Sequence, residues 1–537
     1  MKISKKILLT GFAVLCLYSC HDFDELNQDP TKVTVVNPNT QLTYVELSQW
    51  GDVNGCYTYF AYVSSFVQQL QGEWNATQYG GLYRKANNIT KLIWDRTYCY
   101  SIKNLIDILD KTDGNNPQDA NIRSITRILK VYNFMILTDL YGDIPYFEGG
   151  KGYSEDISTP AYDRQELIYK DFLKELREAE ANLNGEGGLI TGDIIFNGDI
   201  NLWKKFANSL RLRTAMRMVY ADPATAKSEV ADILARESGL LESSTDAVII
   251  YLDINTWEGA DFRRNALAQS WRSRETYPNQ FICSVFWNHL KDSNDPRLFR
   301  LARCYEDTPG AANDPFSRID LTEEIMELKG WSYYQPVDPG YFWYNKWPSG
   351  YTSIKANNRW QDKGCRPQVS NAFLKGSSPG VLMTCAEVQF LLAEAKTVWD
   401  DINTLSAEQH YTNGVNAAMT FLSKYGISIP AAETQEYLSA NPFPAEKEDR
   451  VKAINEQLWI LHLNNPPEAY ANWRRSGYPV LKPAGEYGAI TIQSNTIPRR
   501  LCYPDEESLY NAISQRVALD AMGGEDNWNA KVWWDSK

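Results

Sequence analysis

The chain has 537 residues, 43% of them apolar, and a formal net charge of −13, enough length and apolar content for one large or two ordinary domains around a core. The acidic balance excludes nucleic acid as a partner class, because no Lys/Arg surface is available to neutralise phosphates. It also argues against direct docking on an anionic membrane surface.

The first residues read as a leader. Lys2, Lys5 and Lys6 precede an apolar run, Ile7 to Tyr18, that is too short to span a bilayer as a mature helix. Residues 1–19 are therefore expected to be a signal peptide. Leu17-Tyr18-Ser19-Cys20 resembles a bacterial lipobox, with Tyr18 bulkier than the residue usual there. The resemblance implies cleavage before Cys20 and lipid on its sulfur; an ordinary signal peptide with an incidental Cys is the other reading. The acidic tail His21-Asp22-Phe23-Asp24-Glu25 fits a tether and resembles the surface-export signals of Bacteroidetes lipoproteins. Each acyl CH2 buried would contribute roughly 0.8 kcal/mol, so several chains on one Cys anchor stably. Beyond Cys16 and Cys20 the cysteines are scattered without a Cys-x-x-Cys pair. They are read as small buried apolar residues, with no zinc or redox motif.

The turn clusters Asn27-Gln28-Asp29-Pro30 and Asn37-Pro38-Asn39-Thr40 mark an extended arm over 20–41. A helix is predicted from Leu42 to about Leu70. Ile89, Leu92, Ile93, Ile102, Leu105, Ile106 and Leu109 line a second helical face. Ile125, Leu129, Tyr132, Ile136 and Leu140 line a third, which Gly142 is expected to end in the left-handed conformation and Pro145 to keep from restarting. Asp163, with Glu166 three residues on, is expected to cap a helix that buries Ile168, Phe172, Leu176, Ala179 and Leu183. A helix over 202–219 and a shorter one behind Asp222-Pro223 follow.

From about 240 to 380 the periodicity fades and Trp, Tyr, Gly, Pro and Asn dominate. Val248 to Leu252 reads as a strand and Phe281 to Leu290 as a helix. Helical spacing returns at Val381, Ser406 and Gln409 form a capping box for a helix running to Gly426, and a last long helix is predicted from Glu446 to Trp473. Paired helices of this kind bury one face only against their neighbours and therefore stack.

Several stretches, in order, resemble the SusD/RagB family of nutrient-binding outer-membrane lipoproteins. They are Thr138-Asp139-Leu140-Tyr141-Gly142-Asp143-Ile144-Pro145-Tyr146, the run Trp203 to Arg213, Glu387 to Ala395, His410 to Met419, Ile454 to Ile460 with Leu458 where Lys is usual, and Glu468 to Pro479. The resemblance is to the SusD-like branch. It implies a mainly α fold of tetratricopeptide-like hairpins stacked as a right-handed superhelix, with an irregular aromatic-rich insertion containing short strands. The division is then 42–537 as a single domain, with helical scaffold over 42–239 and 381–480, insertion over 240–380 and a C-terminal segment over 481–537. It further implies a SusC-like TonB-dependent transporter barrel as partner and a place on the outer-membrane surface.

Catalytic constellations are sparse. Gly376-Ser377-Ser378-Pro379-Gly380 fits a nucleophile elbow formally, but Pro379 has no N–H to give an oxyanion. The four histidines are far apart, no phosphate loop is present, and Asp110 to Asn121 does not match a calcium loop. No enzyme activity, cofactor or metal is expected. The informative feature is aromatic: rings set among Gly, Asn, Lys and Pro with few aliphatics nearby. Flat sugar faces stack on such rings while Asn, Gln and Asp orient the hydroxyls. Taken singly, each ring is better explained as pinning an irregular segment; as a set, a few are expected to form an exposed platform. Trp74, Asn75, Gln78, Tyr79, Trp257, Trp331, Tyr333, Tyr334, Trp343 and Trp360 are the candidates for an oligosaccharide, placed by chemistry and by the loops that carry ligand in SusD-like proteins. Trp203, Arg211, Trp473, Arg474 and Arg475, from the family-like motifs, are read as structural. The alternatives are the same architecture binding peptide, as in RagB-type members, which a deep pocket with charged ends would favour, and a hydrolase, which needs two carboxylates facing each other in an aromatic cleft.

Overall fold

The computed structural model describes residues 36–72, 76–254, 261–272, 280–306, 315–321, 333–334, 338–339, 364–365, 367–489 and 492–537. The leader, Cys20 and the tether lie outside the described residues. Asn37 accepts the Asn39 N–H and Pro38 takes the first helical position, so α1 (Pro38–Gly51) starts as a capped unit. The single helix expected to Leu70 is broken at Asp52, whose carboxylate accepts the N–H groups of Asn54 and Gly55 to cap α2 (Val53–Thr58). Glycine is needed at the break: a Cβ on Gly51 would stand 2.3 Å from the Phe262 carbonyl oxygen. A π-helical turn, Tyr59–Val63, and strand β1 (Leu70–Gly72) complete the segment.

The next face is also divided, into α3 (Leu92–Arg96), a π-helical turn Thr97–Ile102 and α4 (Lys103–Lys111). The wider turn absorbs the polar and aromatic run between Ile93 and Ile102, which a 3.6-residue period cannot place on one face.

α5 (Ala120–Tyr141) buries Ile125, Leu129, Tyr132 and Leu140. Gly142 ends it with φ 91° and ψ −127°, a positive φ but not the left-handed helical well, and its N–H donates to the Thr138 carbonyl. The expected Asp163 cap is not formed. Asp163 accepts from the N–H groups of Tyr146 and Phe147, while Asp143 takes the Gln165 N–H at the start of α6 (Gln165–Asn182). The Thr138–Tyr146 turn thus serves as a clamp between α5 and α6, through carboxylates on both sides of the corner. α7 (Ile200–Arg217) is capped by Asp199, and α8 (Pro223–Leu234) by Asp222.

In the insertion the described elements are short: β2 (Ala247–Ile249), α9 (Ala266–Arg272), β3 (Gln280–Ile282), α10 (Ser284–Asp292), β4 (Ala302–Arg303), β5 (Tyr305–Glu306), β6 (Ile319–Asp320), β7 (Tyr333–Tyr334), β8 (Gly364–Cys365), β9 (Gln368–Val369) and β10 (Gly380–Met383). Val381 is therefore in a strand, paired with Val248, and not at a helix start. Its β-branched neighbourhood is buried on both sides, so the apolar run fits either reading until pairing decides it. Thr384 then caps α11 (Cys385–Val398), and Ser406 and Gln409 form the expected capping box of α12 (Ala407–Phe421). The predicted last long helix is two helices, α13 (Lys447–Leu461) and α14 (Pro466–Ser476). Pro466-Pro467 supplies no N–H donors and cannot sit in a helix interior, though it opens one well.

Helices α5 to α8 pack as successive neighbours, as do α12, α11, α13 and α14, and α7 against α11 joins the two runs into one tetratricopeptide-like stack. The cysteine reading needs one correction. Cys56, Cys283 and Cys385 are buried thiols, but Cys99 is exposed and Cys304 is disulfide-bonded. Scattered spacing hides a pair that only the fold brings together.

Candidate functional site

Two small sheets lie next to the segments in which the platform was expected, one of order β1-β3-β9-β4 and one of β7 and β8. Leu70 faces Ile282, Phe281 faces Gln368, and Ala302 faces Val369. β1 leads directly into the segment of Trp74, and β8, just ahead of β9, pairs in parallel with Tyr333 and Tyr334 of β7. Trp74, Asn75, Trp257, Trp331, Trp343 and Trp360 lie outside the described residues, and of Tyr333 and Tyr334 only the backbone is described. Gln78 and Tyr79 are half-buried on a π-helical turn, Thr77–Gly81, with the Tyr79 ring 6.0 Å from Tyr62. Trp271, in the insertion, is part of the core.

The described residues form a second arrangement of the same chemistry, which the periodicity reading passed over. A small cleft of about 20 Å³, room for a water-sized group, opens between α1, α2, α3, the Thr97–Ile102 turn and α5, lined by Ser48, Gln49, Asp52, Arg96, Tyr100 and Asn133 among others, with Tyr44 and Phe262 beside it. Asp52, besides capping α2, accepts from Arg96 Nε at 2.6 Å. Arg96 donates to the Tyr100 hydroxyl at 2.9 Å, and its guanidinium lies 3.9 Å from the centre of the Tyr100 ring, within cation–π range. Tyr100 stands edge-on to Phe262 at 6.0 Å and Tyr44 lies 5.4 Å from Phe262 and 6.4 Å from Tyr100. Gln41 donates to Asn104 at 3.2 Å, and Asn104 to the Tyr100 carbonyl at 2.7 Å. Burial, then the neighbouring Tyr100, pushes the Tyr44 phenol up to about 12, so it stays a neutral hydroxyl.

Tyr44, Arg96 and Tyr100 are all partly exposed. The cleft offers ring edges, amides and a neutralised Asp52–Arg96 pair, which suits a polar neutral ligand with an apolar face. Phe262 and the Gly51 contact tie it to the insertion. One signal in the sequence could have found it: Arg96 and Tyr100, four residues apart, sit in the one run that breaks the apolar spacing.

The family-like motifs go to a buried ionic lattice. Arg213 pairs with Glu387 through Nε at 2.6 Å and Nη2 at 2.8 Å, and Arg217 reaches both Glu468 oxygens at 2.6 and 2.7 Å. Arg475 binds Glu394 twice at 2.7 Å and also Asn455 and Asn472. Arg211 pairs with Glu229 at 2.6 Å, and the Trp203 indole donates to Asp193 at 2.7 Å. Arg474 is buried between Tyr470 and Trp534, and Trp473 is buried beside it. Burial opposes the charge of Glu468, but Arg217, Arg213 and His462 pull it down to about 2. These groups join α5, α7, α11 and α14, and Asp139, Arg213 and Glu468 also line a water-sized cavity of about 10 Å³. Among the described residues no group of His, Cys, Asp or Glu is placed to hold a metal, and no helix is long and apolar enough to cross a membrane.

The class that the fold defines is a helical scaffold of stacked tetratricopeptide-like hairpins. The chain matches, over residues 30–318 and 334–504, the profile of the SusD-like family described as "Starch-binding associating with outer membrane", and it belongs to that family. A Bacteroidetes SusD-like structure shares 35% identity, with a TM-score of 0.84 over 94% of this chain and 100% of that one. A structure described as a chitin-binding protein shares 32% identity, TM-score 0.76, over 93% and 100%. A SusD homologue from Bacteroides uniformis at 24% identity and TM-score 0.71, over 94% of this chain and 100% of that one, has the same fold. No curated protein matches the chain.

Proposed function

We propose that this chain is a lipid-anchored, cell-surface glycan-binding protein that catches oligosaccharide and hands it to a SusC-like TonB-dependent outer-membrane transporter. The observation that carries the glycan reading is the partly exposed group of Tyr44, Tyr100 and Arg96 beside Asp52 and Asn104, backed by the buried Phe262 ring, whose exposed rings and polar groups fit a sugar's apolar face and its hydroxyls. The family description and the chitin-binding relative support the same class. The anchor rests on Cys20 behind its leader, and the Cys304 disulfide is consistent with an oxidising compartment outside the cytosol. Trp74 and the 331–360 rings extend the ligand face in this reading.

Calorimetric titration of the chain beginning after Cys20 tests it. Chito-oligosaccharides, malto-oligosaccharides, plant polysaccharides and a peptide mixture are the ligands. Binding to one glycan class that Tyr100→Ala and Trp74→Ala each weaken is the expected outcome. Binding to the peptides alone replaces glycan by peptide as the cargo.

A further inference from the structure

The C-terminal segment ends in a pair of short helices, α15 (Glu507–Tyr510) and α16 (Ala512–Ala521). Their apolar residues are divided between two faces. Asn511, Gln515 and Ala518 are buried, Leu519 packs half-buried against the core, and Asn511 donates to the Pro160 carbonyl. The opposite face carries Leu509, Tyr510, Ile513 and Val517, exposed at 73%, 76%, 86% and 63%. A helix that turns Gln to the protein and Ile and Val to water has its apolar face reserved for something else. Isolated exposed aliphatics need no explanation, but four on adjacent turns of one helix pair do.

The surrounding charge narrows the occupant. Residues 505–526 hold six acids, Asp505, Glu506, Glu507, Asp520, Glu525 and Asp526, against the single Arg516; Lys91 pairs with Glu506 and Arg500 with Asp526, which leaves Asp505, Glu507 and Glu525 as the acidic excess. Arg516 is already paired with Asp520 at 2.7 Å. A two-fold copy of the same face would set this acidic rim against itself, because such an interface is self-complementary. An anionic lipid surface is repelled for the same reason. An apolar protein surface rimmed by Lys and Arg fits both features.

We propose that the Leu509, Tyr510, Ile513, Val517 face docks this chain onto an outer-membrane protein partner whose matching surface is apolar with a basic rim. This rests on the transporter reading above, with the SusC-like barrel as the partner.

The test uses the full lipidated chain co-expressed with the barrel, extracted in detergent and purified by a tag on the chain. The wild type is expected to hold the barrel in a defined ratio. Ile513→Asp with Val517→Asp is expected to weaken that association at least tenfold, leaving melting and glycan titration unchanged, because both side chains are exposed. Asp520→Lys with Glu525→Lys weakens it less, and Ile513→Leu retains it. A photo-cross-linking residue placed at 513 is expected to label the barrel. A wild type that holds no barrel overturns both this inference and the delivery reading. A double-Asp variant that holds the barrel as well as wild type overturns the docking face alone. Cross-links from 513 to a second copy, to lipid or to residues 21–35 also overturn it.

Discussion

The helical scaffold and the 240–380 insertion solve the same problem, burying their surface, with different means. The scaffold packs aliphatic stripes and closes its polar groups in an Arg–Glu lattice on adjacent helices. The insertion uses very short strands, a disulfide and rings, and its described contacts reach across long sequence distances, as Gly51 against Phe262 or β1 against β3. The scaffold is therefore locally determined, while the insertion is determined by what it meets. The two regions meet where α1 and the Thr97–Ile102 turn face Phe262, the seam to which the proposed function assigns the ligand.

The sharpest way to break the comparison is to unpair the lattice. Arg475→Ala leaves Glu394 buried without its partner and is expected to cost about 3–5 kcal/mol in urea unfolding. A loss under 1 kcal/mol would mean that the scaffold does not depend on these pairs. Reduction of the Cys304 disulfide is next, at roughly 2–4 kcal/mol. Limited proteolysis should then cut within 240–380 first and leave the α5–α8 stack intact. Simultaneous cutting of both regions would contradict the separation.

Gly51→Ala forces Phe262 to move and is expected to cost about 1–3 kcal/mol. It should weaken ligand binding as well, because the buried Phe262 ring supports Tyr44 and Tyr100 from behind. Tyr100→Phe keeps the ring and removes the Arg96 bond, so its effect on stability should stay near 1 kcal/mol.

The smallest effects are in pH. Glu468 is held at about 2 and Glu387 below its ordinary range, despite burial. Their stability is present above pH 4.5 and is lost as pH falls toward 2. Glu456 is pushed up to about 7 by burial, so it does the reverse, and stability declines as pH rises from 4.5 to 7. Burial holds His410 down at about 4, which removes stability as pH falls from 6.5 to 4. Chemical unfolding across pH 3–8 should show a maximum in the weakly acidic range, flattened in Glu456→Gln above pH 5.

What the sequence made legible follows the same division. The α5 stripe, the Asp222-Pro223 start and the Ser406–Gln409 box are local rules, and the structure obeys them. The misses came where a partner decides. Asp163 looks like a cap from its spacing, but the Tyr146 and Phe147 N–H groups claim it. Val381 looks helical until Val248 pairs with it. The Pro466-Pro467 break was in plain view and was outweighed by apolar periodicity on both sides. For the ligand face, aromatic composition directed attention to the insertion, while Tyr44 and Tyr100 were hidden inside helices. Their proximity depends on the break at Asp52 and on a π-helical turn, neither of which a 3.6-residue period registers.

Hydrogen–deuterium exchange of the chain with and without the glycan class found by titration tests the seam most directly. Bound glycan is predicted to slow exchange over 41–52 and 96–104, where α1 and the Tyr100 turn line the cleft. Protection confined to segments away from these two, such as 447–476, would place the ligand elsewhere and contradict the assignment.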